Sequence, residues 1–330
     1  MKLLEINNLH TYFSTRRGLI KAVNGVTLSV EEGKTLGVVG ESGSGKSQTA
    51  MSILRLFEHN QKIYDGEVIF DGKNLSTMPE EELRKIRGND ISMIFQEPMT
   101  SLNPVFTVSR QISEVLMLHQ GKTKEEAHQI AIDMLAAVKI PNPEEVVNMY
   151  PFQLSGGMSQ RVMIAMALAC RPKMLIADEP TTALDVTIQA QILRLMNDLK
   201  KEFRTSIMFI THDLGVINQM ADDVAVMYCG QVVETAPVDF IFAEKSEYSH
   251  PYTEGLLRSI PSLSSVRGSR LDAIPGSVPH PLDLPVGCKF APRCRYATDK
   301  CLNEEPPLVS VSEKQQIRCF YPKKGVRSNG

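Results

Sequence analysis

The sequence predicts an α/β fold with a mixed sheet at its core, and three kinds of segment indicate it. Continuous apolar runs, typical of strands covered on both faces, occupy residues 35–39, 174–177, 207–210 and 224–228. Segments of helical periodicity occupy residues 124–138, 159–169 and 188–203. Strand-like segments bounded by turn residues, at 3–12, 25–30 and 67–70, predict an antiparallel patch near the N-terminus.

Composition narrows the class of protein. The 330 residues are 42% apolar and 22% charged, which is ordinary for a soluble globular protein. A net charge of −2 gives none of the basic excess that draws proteins to nucleic acid or anionic lipid. The densest apolar run, residues 162–170, is about half of what a bilayer requires, and no secretory signal is visible. We therefore expect a cytoplasmic chain whose membrane role, if any, comes through a partner.

The chain divides by composition into two regions. Pro, Ser, Gly and Arg dominate from Pro261 onward, and four of the six cysteines follow. We therefore predict a main domain over residues 1–260 and a small extension over 261–330, with a linker near 262–270. The extension has little apolar material, so it needs a staple such as a metal to hold a fold.

A phosphate-binding loop is the most specific local signal. The pattern Gly40-x4-Gly45-Lys46-Ser47 follows an apolar strand and precedes a helix-compatible stretch. Glycines let backbone N–H groups turn toward phosphate oxygens, Lys46 reaches the β- and γ-phosphates, and the Ser47 hydroxyl ligates Mg²⁺. The predicted nucleotide contacts here are Gly40, Glu41, Ser42, Gly43, Ser44, Gly45, Lys46, Ser47 and Gln48.

Two acids end the apolar strand at residues 174–177. Asp178 is the candidate Mg²⁺ ligand, since Mg²⁺ binds through one or two carboxylates and keeps several waters. Glu179 is the candidate general base for the water that attacks the γ-phosphate. The pair alone would fit a solvated turn, but after a phosphate loop it predicts a nucleotide hydrolase.

A Ser-Gly-Gly turn opens a predicted helix just before these acids, in the octet Leu154-Ser155-Gly156-Gly157-Met158-Ser159-Gln160-Arg161. Free N–H groups at a helix start form a second anion site. With this octet the chain resembles the ATP-binding subunits of ABC transporters. The resemblance implies an ABC-type cassette with a helical signature subdomain, binding ATP and Mg²⁺.

The resemblance assigns further residues. It implies that Gln96 links Mg²⁺ and water to the membrane partner, that Asp185 belongs to the D-loop, and that His212 contacts the γ-phosphate. It also implies an aromatic stacked on adenine, which is Phe13 or, alternatively, Tyr12. In this family ATP lies between two subunits, so the resemblance has Ser155, Gly157 and Gln160 act on the partner's nucleotide.

Two stretches resemble peptide importers more narrowly. Residues 96–104 are similar to the glutamine-loop extension of dipeptide, oligopeptide and nickel importers, and residues 250–261, 274–279 and 287–294 to their C-terminal extension. The resemblance implies an ATPase on the cytoplasmic face of the membrane that powers peptide import. Its partners would be two permeases, a second ATPase that is a paralogue or another copy, and indirectly an extracellular solute-binding protein.

Two other functions compete with peptide import. Nickel importers share much of the pattern. Soluble ABC proteins that act on DNA or the ribosome typically carry two cassettes or long insertions, whereas this chain has one cassette and no basic patch. We therefore expect no nucleic-acid partner.

The clustered cysteines have the spacing C-x5-C-x6-C-x17-C, formed by Cys288, Cys294, Cys301 and Cys319. Four thiolates could bind Zn²⁺ or an iron–sulfur cluster. Close C-x2–4-C pairs are absent, which favours a [4Fe–4S] cluster, as some similar importer subunits carry. We expect it to have a structural role, since nothing in the sequence places it near the nucleotide. Cys170 and Cys229 stand singly among apolar residues and are expected to be buried.

Overall fold

The structure is a computed structural model that describes residues 1–96, 101–182, 184–242, 246–260 and 273–323. The chain forms two compact units that alternate along it. Unit 1 comprises Met1, residues 31–35 and residues 77–210, and unit 2 comprises residues 2–30, 36–76 and 211–330. The C-terminal extension therefore shares unit 2 with the phosphate loop. The division near residue 260 stays a prediction about the organisation of the chain.

Twelve strands lie in the described ranges. They are β1 (Lys2–Thr15), β2 (Gly18–Glu31), β3 (Thr35–Val39), β4 (Gln61–Phe70), β5 (Lys73–Asn74), β6 (Ile91–Ile94), β7 (Met174–Asp178), β8 (Ser206–Thr211), β9 (Asp223–Tyr228), β10 (Gln231–Pro237), β11 (Val309–Ser312) and β12 (Gln315–Ile317).

The α-helices of the same ranges follow. They are α1 (Lys46–Ile53), α2 (Glu80–Ile86), α3 (Val108–Gln120), α4 (Lys124–Ala137), α5 (Pro143–Val146), α6 (Gly156–Leu168), α7 (Val186–Phe203), α8 (Leu214–Met220), α9 (Val238–Phe242), α10 (Pro251–Arg258) and α11 (Asp299–Asn303). None of these helices combines the length and apolar character needed to cross a bilayer.

Unit 1 contains the parallel strands β6, β7 and β8, with β7 between the other two. Every residue of β7 and β8 is buried, which explains why the sequence shows continuous apolar runs there rather than alternation. The parallel arrangement confirms the predicted α/β class. Register pairs Met174 with both Ile91 and Ser206.

The helices of unit 1 have well-formed starts. Thr123 and Glu126 form a capping box at α4, in which each side chain accepts a hydrogen bond from the other residue's backbone N–H. Thr107 caps α3 by accepting from the N–H of Arg110. Helices α3, α4 and α6 pack together through apolar side chains that include Ile112, Leu135 and Ile164.

Unit 2 contains two groups of strands. The antiparallel sheet β2-β1-β4-β5 confirms the predicted N-terminal patch. The other group runs in the order β11-β12-β10-β9-β3, with β3 parallel to β9. Strand β10 pairs with β12, so the extension continues this sheet rather than folding apart from it. Sequence reasoning missed β10, β11 and β12.

Aromatic side chains anchor the extension in unit 2. The ring of Phe290 lies 5.3 Å from Tyr228 of β9 and 5.4 Å from Tyr252 of α10, centroid to centroid. Tyr228 and Tyr252 are 4.8 Å apart, and both are fully buried. Because such rings bury a large apolar area, this cluster supplies the core that the extension lacks on its own.

Candidate active site

The predicted phosphate loop connects β3 to α1 within unit 2. The ammonium of Lys46 donates to the carbonyl oxygens of Gly40 at 2.8 Å and Glu41 at 3.1 Å, and so holds the loop in a closed turn. Gly43 and Gly45 have φ of 77° and 97°, a backbone conformation that residues with a side chain rarely adopt. A Cβ on Gly40 would lie 2.2 Å from the carbonyl oxygen of Met227, so only glycine fits there.

Glu41 is bound by the C-terminal extension. Arg293, which directly precedes Cys294, donates to its carboxylate, and the hydroxyl of Tyr252 accepts from its backbone N–H. The residue next to Cys294 therefore contacts the phosphate loop, and the structural role expected for the four cysteines stays a prediction. No local sequence pattern predicts this contact, because the partners are 252 positions apart.

Phe13 and Tyr12 lie on opposite faces of β1. Thr11, on the same face as Phe13, accepts a hydrogen bond from Ser52 of α1 at 2.9 Å. Phe13 therefore lies on the face that meets the helix after the phosphate loop. Tyr12 is engaged on the other face, where it donates to Asn24 and its ring lies 4.9 Å from that of Tyr64.

The acid pair ends β7 in unit 1. Asp178 is buried, at 3% exposure, and Glu179 follows with φ of 46°, in the left-handed region. The amide of Gln96 and the hydroxyl of Thr182 donate to Oε2 of Glu179, at 3.3 and 2.9 Å. The backbone N–H of Glu179 donates to the carbonyl of Ile210. A non-glycine residue held in this conformation is typical of functional sites.

The signature octet places its residues in two environments. Ser155 is exposed and caps α6 by accepting from the N–H of Met158, and Gly157 lies in the first turn. Gln160 is instead fully buried and donates to the carbonyl of Pro180, directly after Glu179. The expectation that Gln160 contacts a partner's nucleotide finds no support, because its side chain is turned inward.

Asp185 and His212 lie at the ends of other elements. The carboxylate of Asp185 caps α7 by accepting from the N–H groups of Thr187 and Ile188, both at 3.0 Å. His212 is exposed just after β8, and Asp213 next to it caps α8. His212 belongs to unit 2, whereas Gln96, Asp178, Glu179 and the signature belong to unit 1.

The donor chemistry suits Mg²⁺. Asp178 offers a buried carboxylate at a strand end, and Ser47 offers a hydroxyl in the first turn of α1. Mg²⁺ prefers such oxygen ligands and completes its shell with water and substrate phosphates. Within the described ranges no three His, Cys, Asp or Glu side chains are close enough to hold a metal.

The four clustered cysteines line one cavity of about 20 Å³, whose other walls include Phe290 and His250. Desolvation by burial raises the pKa of the Cys288 thiol. Sulfur donors suit a soft metal, but burial disfavours the thiolate form that would bind it, and the described part of the chain shows no group of three ligands at metal-binding spacing. Cys170 and Cys229 are buried, as predicted.

Two sequence profiles match the chain. The ABC transporter profile covers residues 23–182, and the profile of the oligopeptide/dipeptide transporter C-terminal region covers residues 233–301. A dimeric ATP-binding cassette solved in a post-hydrolysis state with ADP and Pi superposes with a TM-score of 0.64. That structure is 30% identical, and the match covers 71% of this chain and 98% of the other. Fold and loop together define an ATP-binding cassette of the ABC type.

Similar proteins narrow the family to which the chain belongs. An oligopeptide transport ATP-binding protein, AppD of Bacillus subtilis, is 54% identical over 329 residues, covering 99% of each chain. OppD of Salmonella typhimurium, named likewise, is 51% identical over 320 residues, covering 97% of this chain and 94% of its own. The chain belongs to the family of oligopeptide ABC transporter ATP-binding subunits. This confirms the predicted family and its ATPase class.

Three side chains of the site escaped sequence reasoning. Thr182 lies within the motif region, and a hydroxyl three residues after the acid could have been noticed. Tyr252 and Arg293 sit in stretches that resemble the importer extension, but nothing in their spacing pointed to Glu41. Only the tertiary structure brings them to the loop.

Proposed function

We propose that the chain hydrolyses ATP to drive import of dipeptides and oligopeptides through transmembrane permeases. One observation carries the choice of cargo class. Beside the cassette, the chain contains a C-terminal region that matches the oligopeptide/dipeptide transporter profile over residues 233–301. The relatives reported above carry oligopeptide transport in their names. Nickel import is the competing cargo.

Each unit has its own part in the proposed hydrolysis. In unit 2, the loop from Gly40 to Gln48 holds the phosphates, Lys46 reaches the β- and γ-phosphates, and Phe13 contacts the base. The Ser47 hydroxyl ligates Mg²⁺, and His212 contacts the γ-phosphate. Bound Mg²⁺ neutralises charge that develops on the transferred phosphoryl group.

In unit 1, Glu179 accepts the proton of the attacking water, and the carboxylate of Asp178 is a ligand for Mg²⁺. The Gln96 and Thr182 hydrogen bonds, at 3.3 and 2.9 Å, support this role because they hold the base in one orientation. The left-handed backbone of Glu179 fixes its position further.

We propose a dimer in which Ser155 and Gly157 act on nucleotide bound by the partner. The exposure of the Ser155 turn and the dimeric state of the similar cassette with ADP and Pi support this arrangement. Asp185 belongs to the D-loop near the shared nucleotide, and it also caps α7. Gln160 acts on its own subunit instead, by holding the turn that follows Glu179.

The partners are two permeases, a second ATPase that is a paralogue or another copy, and, acting indirectly, an extracellular solute-binding protein. The subunit lies on the cytoplasmic face of the membrane. An exposed pair of stacked rings supports a docking face for an apolar partner. Tyr150 and Phe152 lie 5.5 Å apart at 12°, with 38% and 71% exposure.

For the extension we propose a metal centre, with the [4Fe–4S] cluster first and Zn²⁺ as the alternative. The convergence of Cys288, Cys294, Cys301 and Cys319 on one cavity supports it. Anaerobically purified protein would show iron, sulfide and absorbance near 400 nm for the cluster. Stoichiometric zinc without iron would exclude it.

Reconstitution tests the cargo directly. Purified transporter in vesicles, with its permeases and binding protein, should accumulate a labelled oligopeptide when ATP is present and not with Glu179→Gln. ATP-dependent accumulation of Ni²⁺ without peptide uptake would contradict the proposal.

Co-purification tests the partners. The tagged chain should retain two permeases and a second ATPase subunit in detergent. Recovery with ribosomes or DNA, and without membrane proteins, would reject the importer assignment.

A further inference from the structure

Arg293 is a buried cation, and each nitrogen of its guanidinium donates a hydrogen bond. It is 6% exposed, and its guanidinium binds the Glu41 carboxylate through two parallel hydrogen bonds, Nη1 to Oε2 at 2.5 Å and Nη2 to Oε1 at 3.0 Å. Nε donates to the carbonyl of Pro275 at 3.0 Å, and Nη1 also reaches the hydroxyl of Tyr228 at 3.4 Å. Such a bidentate fork fixes direction as well as distance.

Glu41 is held at its backbone too. Its N–H donates to the hydroxyl of Tyr252 at 2.8 Å, and Tyr252 is fully buried against Tyr228 and Phe290. On the loop side, the carbonyl of Glu41 accepts from the N–H of Ser44 and from the ammonium of Lys46, both at 3.1 Å. Glu41 therefore joins the phosphate loop to Arg293 of the C-terminal extension through its carboxylate and to Tyr252 of α10 through its backbone N–H.

The charge of Glu41 explains why this contact affects binding. A carboxylate in a loop that binds phosphates repels the substrate, because both are anionic. Arg293, whose side chain is buried, pairs with the partly exposed carboxylate through two parallel hydrogen bonds, so the unfavourable charge is offset and its direction is fixed. The hydrogen bonds to Glu41 also raise the pKa of Arg293, which stays charged at any working pH.

We propose that Arg293 is a positioning residue for nucleotide binding, through which the C-terminal extension sets the affinity of the phosphate loop for ATP. This inference rests on the proposed assignment of Gly40 to Ser47 as the phosphate site. Arg293 lies outside residues 23–182, the span of the cassette profile. The extension is accordingly part of the nucleotide site in function, not only a neighbour of it.

The test compares ATP affinities of full-length variants. Arg293→Met keeps the apolar stem and removes the charge, and should weaken ATP binding about 10- to 30-fold. Adding Glu41→Gln removes the uncompensated carboxylate, and should bring the affinity back to within about threefold of wild type.

The number of phosphates on the nucleotide distinguishes a positioning role of Arg293 from general damage to the fold. Because the effect is electrostatic, the loss in Arg293→Met should be largest for ATP, smaller for ADP and near zero for AMP. Arg318→Met is the matched control, since Arg318 is a half-buried arginine of the same extension that contacts Val232, Pro306 and Glu305. It should leave ATP binding unchanged.

Equal losses for ATP and AMP, no rescue by Glu41→Gln, or an equal loss in Arg318→Met would each overturn the proposal. If Arg293→Met does not fold, Arg293→Lys, which keeps the charge and loses the fork, should weaken ATP binding by about threefold. Wild-type affinity in Arg293→Lys and in a folded Arg293→Met would also overturn it. Lys46→Ala tests the loop assignment separately: unchanged ATP binding there would reject the phosphate site itself.

Discussion

The side-chain amide of Gln96 donates a hydrogen bond to the carboxylate of Glu179 over 3.3 Å, although 83 positions separate the two residues. Thr182 donates to the same oxygen at 2.9 Å. Two donors on one carboxylate oxygen fix the orientation of the group. The proposed base is therefore positioned before any substrate binds.

Removing the Gln96 amide should slow hydrolysis and spare binding. Gln96→Ala frees the Glu179 side chain to rotate, so kcat should fall about tenfold while the Kd for ATP stays within about twofold. Steady-state ATPase assays and nucleotide titration give the two numbers. Gln129→Ala, an exposed glutamine of α4, is the matched control and should behave as wild type. A changed Kd with unchanged kcat would assign Gln96 to binding instead.

Gly40 should not tolerate a methyl group. In Gly40→Ala the new Cβ would meet the carbonyl of Met227 at 2.2 Å and the hydroxyl of Ser44 at 2.8 Å, so the loop must shift. We expect the free energy of unfolding to fall by about 2 kcal/mol, measured by denaturant titration. Gly156→Ala, whose Cβ would meet nothing within 4 Å, should change it by less than about 1 kcal/mol. Equal stability of Gly40→Ala and wild type would show that the loop lies differently.

The stacked pair Tyr150 and Phe152 should bind a permease. Phe152→Glu places a charge on an apolar ring that is 71% exposed, so it should abolish co-purification of the permeases without lowering the melting temperature. Leu118→Glu on α3 is the control, because Leu118 is 74% exposed. Loss of the permeases in both variants, or in neither, would reject this docking face.

The two single cysteines should resist alkylation while the protein is folded. Burial raises the pKa of both Cys170 and Cys229 from 9.0 to about 11, so at pH 8.5 each holds about 100-fold less thiolate than in the unfolded chain. Iodoacetamide labelling followed by mass spectrometry should show that both cysteines are alkylated slowly in buffer and rapidly in urea. The contribution of neutral thiols to stability is complete below pH 9 and is lost as the pH rises toward 11. Rapid labelling in buffer would contradict the buried positions.

The sequence was most informative where one local rule decides the structure. Strand β3 spans residues 35–39 as predicted, because a run of buried apolar residues between turn signals leaves few alternatives. Helix α4 was predicted within one residue of its observed end, since its periodicity and caps agree. The phosphate loop was readable because backbone geometry there requires glycine at fixed spacing.

Long-range contacts were not readable. The pairing of β10 with β12 depends on side chains such as Glu234 and Gln315, whose hydrogen bond of 2.8 Å joins residues 81 positions apart. The bond from Arg293 to Glu41 has the same character. Gln160 was found from a local motif, but the motif does not predict whether its side chain turns inward, as it does here.

The most direct measurement of the central claim is ATP turnover by Glu179→Gln. Glutamine keeps the size of the side chain and cannot accept a proton, so kcat should fall about 100-fold or more while ATP still binds. The variant should also accumulate as an ATP-bound dimer on size-exclusion chromatography. ATP hydrolysis at the wild-type rate by Glu179→Gln would contradict the account of this chain as an ATPase with Glu179 as its base.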